Sequence, residues 1–476
     1  MHEETRMNKA AEWLTDQGKR KFWIPVLIVV VVASIGAVVW VNRSPVHPPQ
    51  VSGAHGRFLI SQRLDSAPVP QWTLRAADLS GEPGAVLLAA PQNLHRYYGY
   101  GSPVDAGTMI VAATAVPGAP GPGENAGLTV GPVRMHGIDP DTGHVRWTTE
   151  AGELLGCREQ VFDGQLACRG AHRVLIIEAA TGAVLGDHTT DFEVTDVAVR
   201  DGVVSVAGRT ADWMTAVLMR GTVSDLGATW QRTYPTPVPG DPVTPRIDVL
   251  ARDYFLDGHD HGVRVHDLRT GELLFTGPVV HTFEGGIVAS QVIERGWSAG
   301  RVTLVGRSGH PITEVGNASS VFDWYPAATA TPPPILTGES AYERTTGRVL
   351  WTNAQIGIDE PIGRKSAIAG VVDNTVIVRS LDGSELAGLD LTDGHRIWQQ
   401  PTPFPNPARY DGITDASHLI LTDGTTVHAI DAADGSTSWS MPLPPSGRPN
   451  FRSAVKALGG RMVTVTAQEF TGYAPA

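Results

Sequence analysis

Cysteine is nearly absent, with two in 476 residues. The two are not adjacent, and neither sits in a C-x-x-C-H haem-attachment motif or a paired-cysteine zinc spacing. The sequence also lacks a G-x-S-x-G nucleophile elbow and a phosphate-cradling glycine loop, so the familiar signatures of α/β-hydrolases and nucleotide enzymes are missing. Lysine is scarce while arginine is frequent, a balance that reflects a GC-rich genome more than chemistry. Charged residues make up only 18% of the chain, and the net charge is −12. That charge is unevenly spread: residues 1–43 hold six Lys/Arg against four Asp/Glu, and the remainder holds 31 basic against 45 acidic residues. So acidic a body excludes a phosphate-backbone footprint, and nucleic acid with it.

What is abundant points elsewhere. Glycine (53) and proline (35) are frequent and 42% of residues are hydrophobic, which suits many short strands joined by turns better than long helices. One long apolar run stands apart, "FWIPVLIVVVVASIGAVVWVN" from Phe22 to Asn42, without a charged residue. At helical rise it spans roughly 30 Å, a bilayer core. Trp23 and Trp40 mark its ends, and Lys19, Arg20 and Lys21 precede it against Arg43 alone beyond. The positive-inside bias predicts residues 1–21 as a short cytoplasmic tail, 22–42 as a transmembrane signal-anchor, 43–69 as a proline-containing stalk and 70–476 as an extracytoplasmic body at the plasma membrane. A cleaved signal peptide is the rival reading, but "VNRSPVHPPQ" follows the run where a small-residue cleavage site would be needed.

Within the body one phrase recurs. An acidic residue is followed by glycine four positions later and an aromatic eight positions later. Asp139, Gly143 and Trp147 fit, as do Asp267, Gly271 and Phe275; Glu343, Gly347 and Trp351; Asp390, Gly394 and Trp398; and Asp431, Gly435 and Trp439. Glu178 and Gly182 match with Gly186 in the aromatic place, and a degenerate "SDLGATW" ends at Trp230. The phrase reads as a hairpin. A strand ends at the acid, whose carboxylate accepts turn N–H groups, the glycine supplies a positive φ, and an outer strand carries the aromatic. Most copies are about 40–45 residues apart, the span of a four-stranded propeller blade. The interval from Phe275 to Trp351 is longer, either one blade with long loops or two poorly written ones, and is read as one because "NASSVFDWYPAATATPPPILTG" looks largely like loop. After Trp439 the C-terminus supplies an incomplete blade, and "PQWTLRA" around Trp72 is expected to provide its outermost strand. The expectation is an all-β, eight-bladed propeller preceded by one transmembrane helix.

"DPDTGHVRW" and "ERTTGRVLW" carry the phrase most clearly, and they resemble the pyrroloquinoline-quinone (PQQ) repeat family over roughly residues 70–476. The resemblance implies a BamB-like propeller membrane protein, of actinobacterial origin by composition and repeat style, in which the repeated tryptophans are packing residues between blades. Its quinoprotein alcohol dehydrogenase members imply PQQ with Ca²⁺ and a vicinal cysteine pair over the quinone. This chain has no such pair, so no catalytic, cofactor or metal residue is assigned, and the oxidoreductase stands as the alternative reading. The first reading is a non-catalytic binding or scaffold module for a protein or cell-envelope component. A third is an envelope sensor.

Other candidates are fewer. Cys157 and Cys168 flank an Asp163-Gly164 turn that would fold them together into a disulfide outside the cytoplasm, with two buried thiols as the alternative. "DGHDHG" sets His259 and His261 around Asp260, donors for a transition metal or simply polar turn residues. "NLHRYYGYG" clusters Arg96, Tyr97, Tyr98 and Tyr100, a composition favoured at binding surfaces and also found in packed loops. Proline-bearing connections such as "TYPTPVPGDPVTP" and "PTPFPNP" are stiff enough to bind a partner or to act as spacers.

Overall fold

The computed structural model describes residues 58–476 apart from 89–99, 102, 117–131, 160, 236–244, 249–253, 260–261, 278–279, 283–287, 292–301, 307–309, 316–326, 329–332, 338, 355–357, 360–362, 365, 381, 403–411 and 447–452. Residues 58–476 belong to one compact unit, Ser52–Ala476. The expected tail and apolar run fall outside the described residues. Among those described no helix is long and apolar enough to cross a membrane, and the helix recorded is a single turn, Ala76–Ser80.

The body is a series of small sheets, most of them antiparallel meanders of strands consecutive in the chain, with Tyr100–Gly101 added to the second sheet and Ala327–Ala328 pairing parallel with Ser366–Val372. The first comprises Val86–Leu87, Ile110–Ala115, Val133–Ile138 and Val145–Gly152, with the short Val104–Asp105 also paired to Ile110–Ala115. The second, third and fourth end on Val184–Thr189, Trp230–Pro235 and Leu273–Gly277. Later sheets end on Val349–Thr352, Arg396–Pro401 and Thr437–Pro442. The last is built from both ends of the body. Ala454–Leu458, Arg461–Val465 and Glu469–Ala474 form three strands, and Val69–Arg75 pairs antiparallel with Glu469–Ala474 as the outermost fourth. Trp72 sits on that closing strand, in the position its sequence context suggests.

One expectation needs correction. The interval between Phe275 and Trp351, read as a single blade, contains two sheets. Val280–Thr282, Val288–Gln291, Val302–Val305 and Pro311–Val315 form a complete four-stranded meander, and Ile335–Thr337, Ser340–Tyr342 and Val349–Thr352 form a three-stranded one. The described residues therefore include nine sheets of three or more strands, one more than the eight expected. The extra sheet leaves little trace in the sequence because its strands are short and its outer strand has Ile312 where the repeat writes tryptophan.

The packing explains the burial pattern. Strands in the middle of each sheet are covered on both faces by neighbouring sheets, so they read as unbroken apolar runs: Ile110–Ala115 is buried at every position and Thr375–Ser380 at all but the last. Outer strands face solvent and alternate, as in Val145–Gly152. Each core cluster straddles a pair of consecutive sheets. Met135 and Ala151 of the first sheet pack with Leu166 and Leu175 of the second, and Ile176 of the second packs with Val197 and Val206 of the third. Val371 and Val376 pack against Trp351 of the preceding sheet. Phe470 and Val463 of the last sheet pack with Ile110 and Ile138 of the first. Successive sheets of three to five strands stacked face to face, with the last completed by the strand Val69–Arg75, make the body a β-propeller.

Candidate functional site

The repeated acids all do the same thing. In each full copy the glycine N–H donates to the carbonyl of the acid four residues earlier: Gly143 to Asp139, Gly271 to Asp267, Gly347 to Glu343, Gly394 to Asp390 and Gly435 to Asp431, at 2.7–2.9 Å. Where the acid is aspartate, its Oδ1 accepts turn N–H groups, from Asp141 and Thr142 at Asp139, Arg269 and Thr270 at Asp267, Thr392 at Asp390 and Ala433 at Asp431. Where it is glutamate, the longer side chain accepts the threonine hydroxyl three residues on, Thr181 to Glu178 and Thr346 to Glu343. The Arg146 guanidinium further holds the Asp139 carboxyl at a pKa of about 2.

The tryptophans seat the next sheet. Each indole N–H donates to the carbonyl just after the acid of the following turn: Trp72 to Pro140 (2.9 Å), Trp147 to Ala179 (3.1 Å), Trp351 to Leu391 (2.8 Å) and Trp398 to Ala432 (2.9 Å). Trp230 reaches Arg269, two residues past Asp267. The ring lies over the glycine of that turn, so a Cβ added at Gly394 would sit 2.5 Å from Trp351, and one at Gly435 would sit 2.4 Å from Trp398. Ile312 takes the same place over Gly347. Phe275 is half-buried on its outer strand, and Gly186 faces the Val223 carbonyl.

Two regularities escaped the sequence reading. The residue paired across the sheet with the tryptophan of the four full copies that carry one is small: Gly137 opposite Trp147, Ala341 opposite Trp351, Gly388 opposite Trp398 and Ala429 opposite Trp439, whereas the degenerate copy sets Arg220 opposite Trp230. Each small residue stands two before the repeat acid, and that fixed position was the available signal. A polar pair flanks it three before the acid and one after the tryptophan. His136 bonds Thr148 (3.1 Å), Ser340 bonds Thr352 (2.8 Å) and His428 bonds Ser440 (2.9 Å). His136 is fully buried and also bonds Thr114, and desolvation lowers its pKa to about 4.

The remaining candidates separate clearly. Cys157 and Cys168 are disulfide-bonded and are direct partners on Gly156–Arg158 and Gln165–Arg169, the first and second strands of the second sheet's meander. The Asp163-Gly164 turn lies between them, both residues at positive φ. His259 ends its strand and pairs with Gly262, while Asp260 and His261 lie outside the described residues. Arg96, Tyr97 and Tyr98 also lie outside them, as do most of the proline-bearing connections. The backbone of Tyr100 is described: Tyr100–Gly101 pairs with Arg158–Cys157 as an additional strand on the inner edge of the second sheet. Asp390, Asp393 and His395 bring three potential metal-binding atoms within 4.8 Å. They form a repeat turn in which Asp390 already accepts from Thr392 and Asn374, and His395 is hydrogen-bonded to Asp393.

The inner edge of the second sheet is where off-repeat chemistry collects. Arg158 donates to Asp196 Oδ1 (2.9 Å) and the Val197 carbonyl (3.2 Å) on the third sheet, and to the Ile247 carbonyl (2.8 Å) on the fourth. Asp196 in turn accepts the N–H groups of Val197 and Ile247. The next residue, Glu159, comes within 3.8 Å of Lys456 on the last sheet, both about one-fifth exposed. A three-residue strand and the residue after it therefore join a disulfide, a three-sheet guanidinium bridge and an ion pair. The other edge of Gly156–Arg158 holds the strand that follows the tyrosine cluster.

Residues 337–418 match the family described as "Outer membrane protein assembly factor BamB". No curated protein matches the chain. Among solved structures, BamB from Moraxella catarrhalis is 13% identical, covering 71% of this chain and 88% of its own, with a TM-score of 0.38. Quinohemoprotein alcohol dehydrogenase from Comamonas testosteroni is 12% identical, covering 86% and 78%, with a TM-score of 0.40. The computationally designed Ika8 protein is 14% identical, covering 69% and 92%, with a TM-score of 0.36.

Proposed function

We propose that the chain is a membrane-tethered, extracytoplasmic propeller that binds a protein or envelope component without catalysing a reaction on it. The observation that carries this reading is the Tyr100–Gly101 strand. Nothing in the repeat requires it, yet it ties the tyrosine-bearing segment to the inner edge of the second sheet, beside Arg158 and Glu159. The repeat's own carboxylates and indoles are committed to turns and sheet contacts, so recognition falls to off-repeat residues of this kind. The matched BamB repeat stretch supports a protein-binding scaffold at that coarse level. The uncharged run from Phe22 to Asn42, with basic residues ahead of it, supports the tether and its orientation.

The quinoprotein alternative asks for carboxylates open to Ca²⁺ and a vicinal disulfide over the quinone. Among the described residues the fit is poor. Both Asp196 oxygens are engaged by Arg158 and by two backbone N–H groups. The cysteines are eleven apart and bonded across two strands. Two measurements on the full chain, one in intact cells and one after detergent extraction, decide between the readings. A photo-crosslinker placed at Tyr97 in intact cells should capture one discrete envelope partner, and Tyr98→Ala should weaken that capture. Saturable one-to-one PQQ binding with Ca²⁺-dependent dye reduction would overturn the proposal.

A further inference from the structure

The last sheet has a gap in the pattern. Where a tryptophan precedes an intact repeat turn, that turn offers it a carbonyl, but the third and fourth strands of the last sheet, Glu469–Ala474 and Val69–Arg75, come from opposite ends of the body, so no turn joins them. Trp439 still has an acceptor: its indole N–H donates to the Leu64 carbonyl at 2.7 Å. Residues ahead of the closing strand have moved into the vacant place.

These residues are held by a handful of hydrogen bonds, among them the Ser61 hydroxyl to the Gly460 carbonyl (3.0 Å). Ile60 N–H donates to the Thr414 carbonyl (2.9 Å), Ser61 N–H to the Gly460 carbonyl (2.8 Å) and Leu64 N–H to Asp415 Oδ2 (2.8 Å). Ile60 and Leu64 are each 2% exposed and pack with Ile413, Trp439, Met462 and Tyr473 between the last two sheets. Asp415 is itself fixed without them, because Oδ1 accepts the N–H groups of Ser417 and His418 and the buried His418 ring bonds both oxygens.

We propose that residues 59–64 are a detachable latch that substitutes for the missing turn and opens as a unit while Val69–Arg75 stays paired. The two segments differ in the way that local opening requires. Residues 59–64 contribute one isolated parallel bridge, Leu59 to Thr414, whereas Val69–Arg75 is paired at six positions. Ser61, Arg63, Asp65 and Ser66 are exposed, and the sites Leu64 vacates are a preformed turn and an indole N–H that water can satisfy. Any pull on the chain ahead of residue 58 reaches the latch before it reaches the closing strand.

Hydrogen exchange of the detergent-extracted full chain, read by mass spectrometry, tests this. Peptides covering residues 59–64 should exchange about ten-fold or more faster than those covering Val69–Arg75 and Glu469–Ala474, the behaviour of a sub-global opening. Trp439→Phe and Asp415→Asn should accelerate residues 59–64 further without changing Val69–Arg75. Trp398→Phe, which removes the equivalent bond at an unbroken turn, should leave residues 59–64 unchanged. Co-exchange of the two segments in the unaltered protein overturns the latch. Equal acceleration of both segments by Trp439→Phe would also overturn it.

Discussion

The indole N–H of Trp398 donates to the carbonyl of Ala432, 34 residues further on, at 2.9 Å, and the face of the same ring covers Gly435. One side chain thus fixes the distance between two sheets and closes the turn of the second. Trp398→Ala removes a large buried group and should cost about 3–5 kcal/mol of stability. Trp398→Phe keeps most of the apolar contact and loses the hydrogen bond, for about 1–2 kcal/mol. Urea titration of the two variants checks the order. Equal losses would mean that the hydrogen bond, not the ring, holds the seat.

Gly435→Ala should be destabilising for two separable reasons. The residue has φ +75°, which costs alanine roughly 1 kcal/mol, and its Cβ would fall 2.4 Å from the Trp398 ring. Gly202 has φ +70° with nothing within 4 Å of its Cβ, so Gly202→Ala isolates the backbone share. The difference between the two melting-point shifts measures the ring contact. If the shifts coincide, the close approach to Trp398 contributes nothing.

Much of this is written locally in the sequence. The acid-to-glycine-to-tryptophan spacing lies within one hairpin, so the turn and the packing face of Asp139, Gly143 and Trp147 are legible from the spacing alone. The closing strand around Trp72 is legible because the last copy is short by one strand. The sheet Val280–Val315 is not, since Ile312 does by shape what tryptophan does elsewhere and its strands are only three to five residues long. Nor is the inner edge. Arg158 reaches Asp196 and Ile247 across two sheet boundaries, and no periodicity records a contact between residues that separate turns bring together.

The disulfide should act through the unfolded chain. Cys157 and Cys168 are 4% and 0% exposed, and they close a loop with a separation of eleven residues. Replacing both by alanine should therefore cost about 2–3 kcal/mol in the loop-entropy account, with little change in the folded protein. Denaturation midpoints of the two forms measure this. Because both sulfurs are buried, thiol reagents should react with the native protein only as fast as it opens. Rapid reduction under native conditions would place the bond in a mobile strand instead.

Acid should find His136. Its pKa lies at about 4 in the folded protein, lowered first by desolvation and then by Arg134, against an ordinary 6.5. Between those values the unfolded chain binds the proton that the folded one refuses. The stabilisation is therefore fully present above pH 6.5 and is lost as the pH falls toward 4, at up to about 1.4 kcal/mol per pH unit. His136→Gln removes this titration and keeps a polar partner for Thr114. Between pH 7 and 4.5 the unaltered protein should lose about 2 kcal/mol more than the variant, a difference from which the other carboxylates cancel. Parallel losses would mean that the buried imidazole is not what titrates.

Arg158 and Asp196 should behave as a coupled pair rather than as two contacts. Their side chains are 11% and 3% exposed, and each also serves the backbone of another sheet. Arg158→Met strands a buried carboxylate and should cost about 3–5 kcal/mol, the penalty of an uncompensated charge. Asp196→Asn leaves the guanidinium with a neutral acceptor and still offers an oxygen to one backbone N–H, so its cost should be smaller. In the double variant the stranded charge disappears, and the loss should fall well short of the sum of the single losses. A double-mutant cycle in urea reads this as a coupling of at least about 1 kcal/mol. Additive losses would show that the backbone bonds to Val197 and Ile247 hold the three sheets together, with the ion pair secondary.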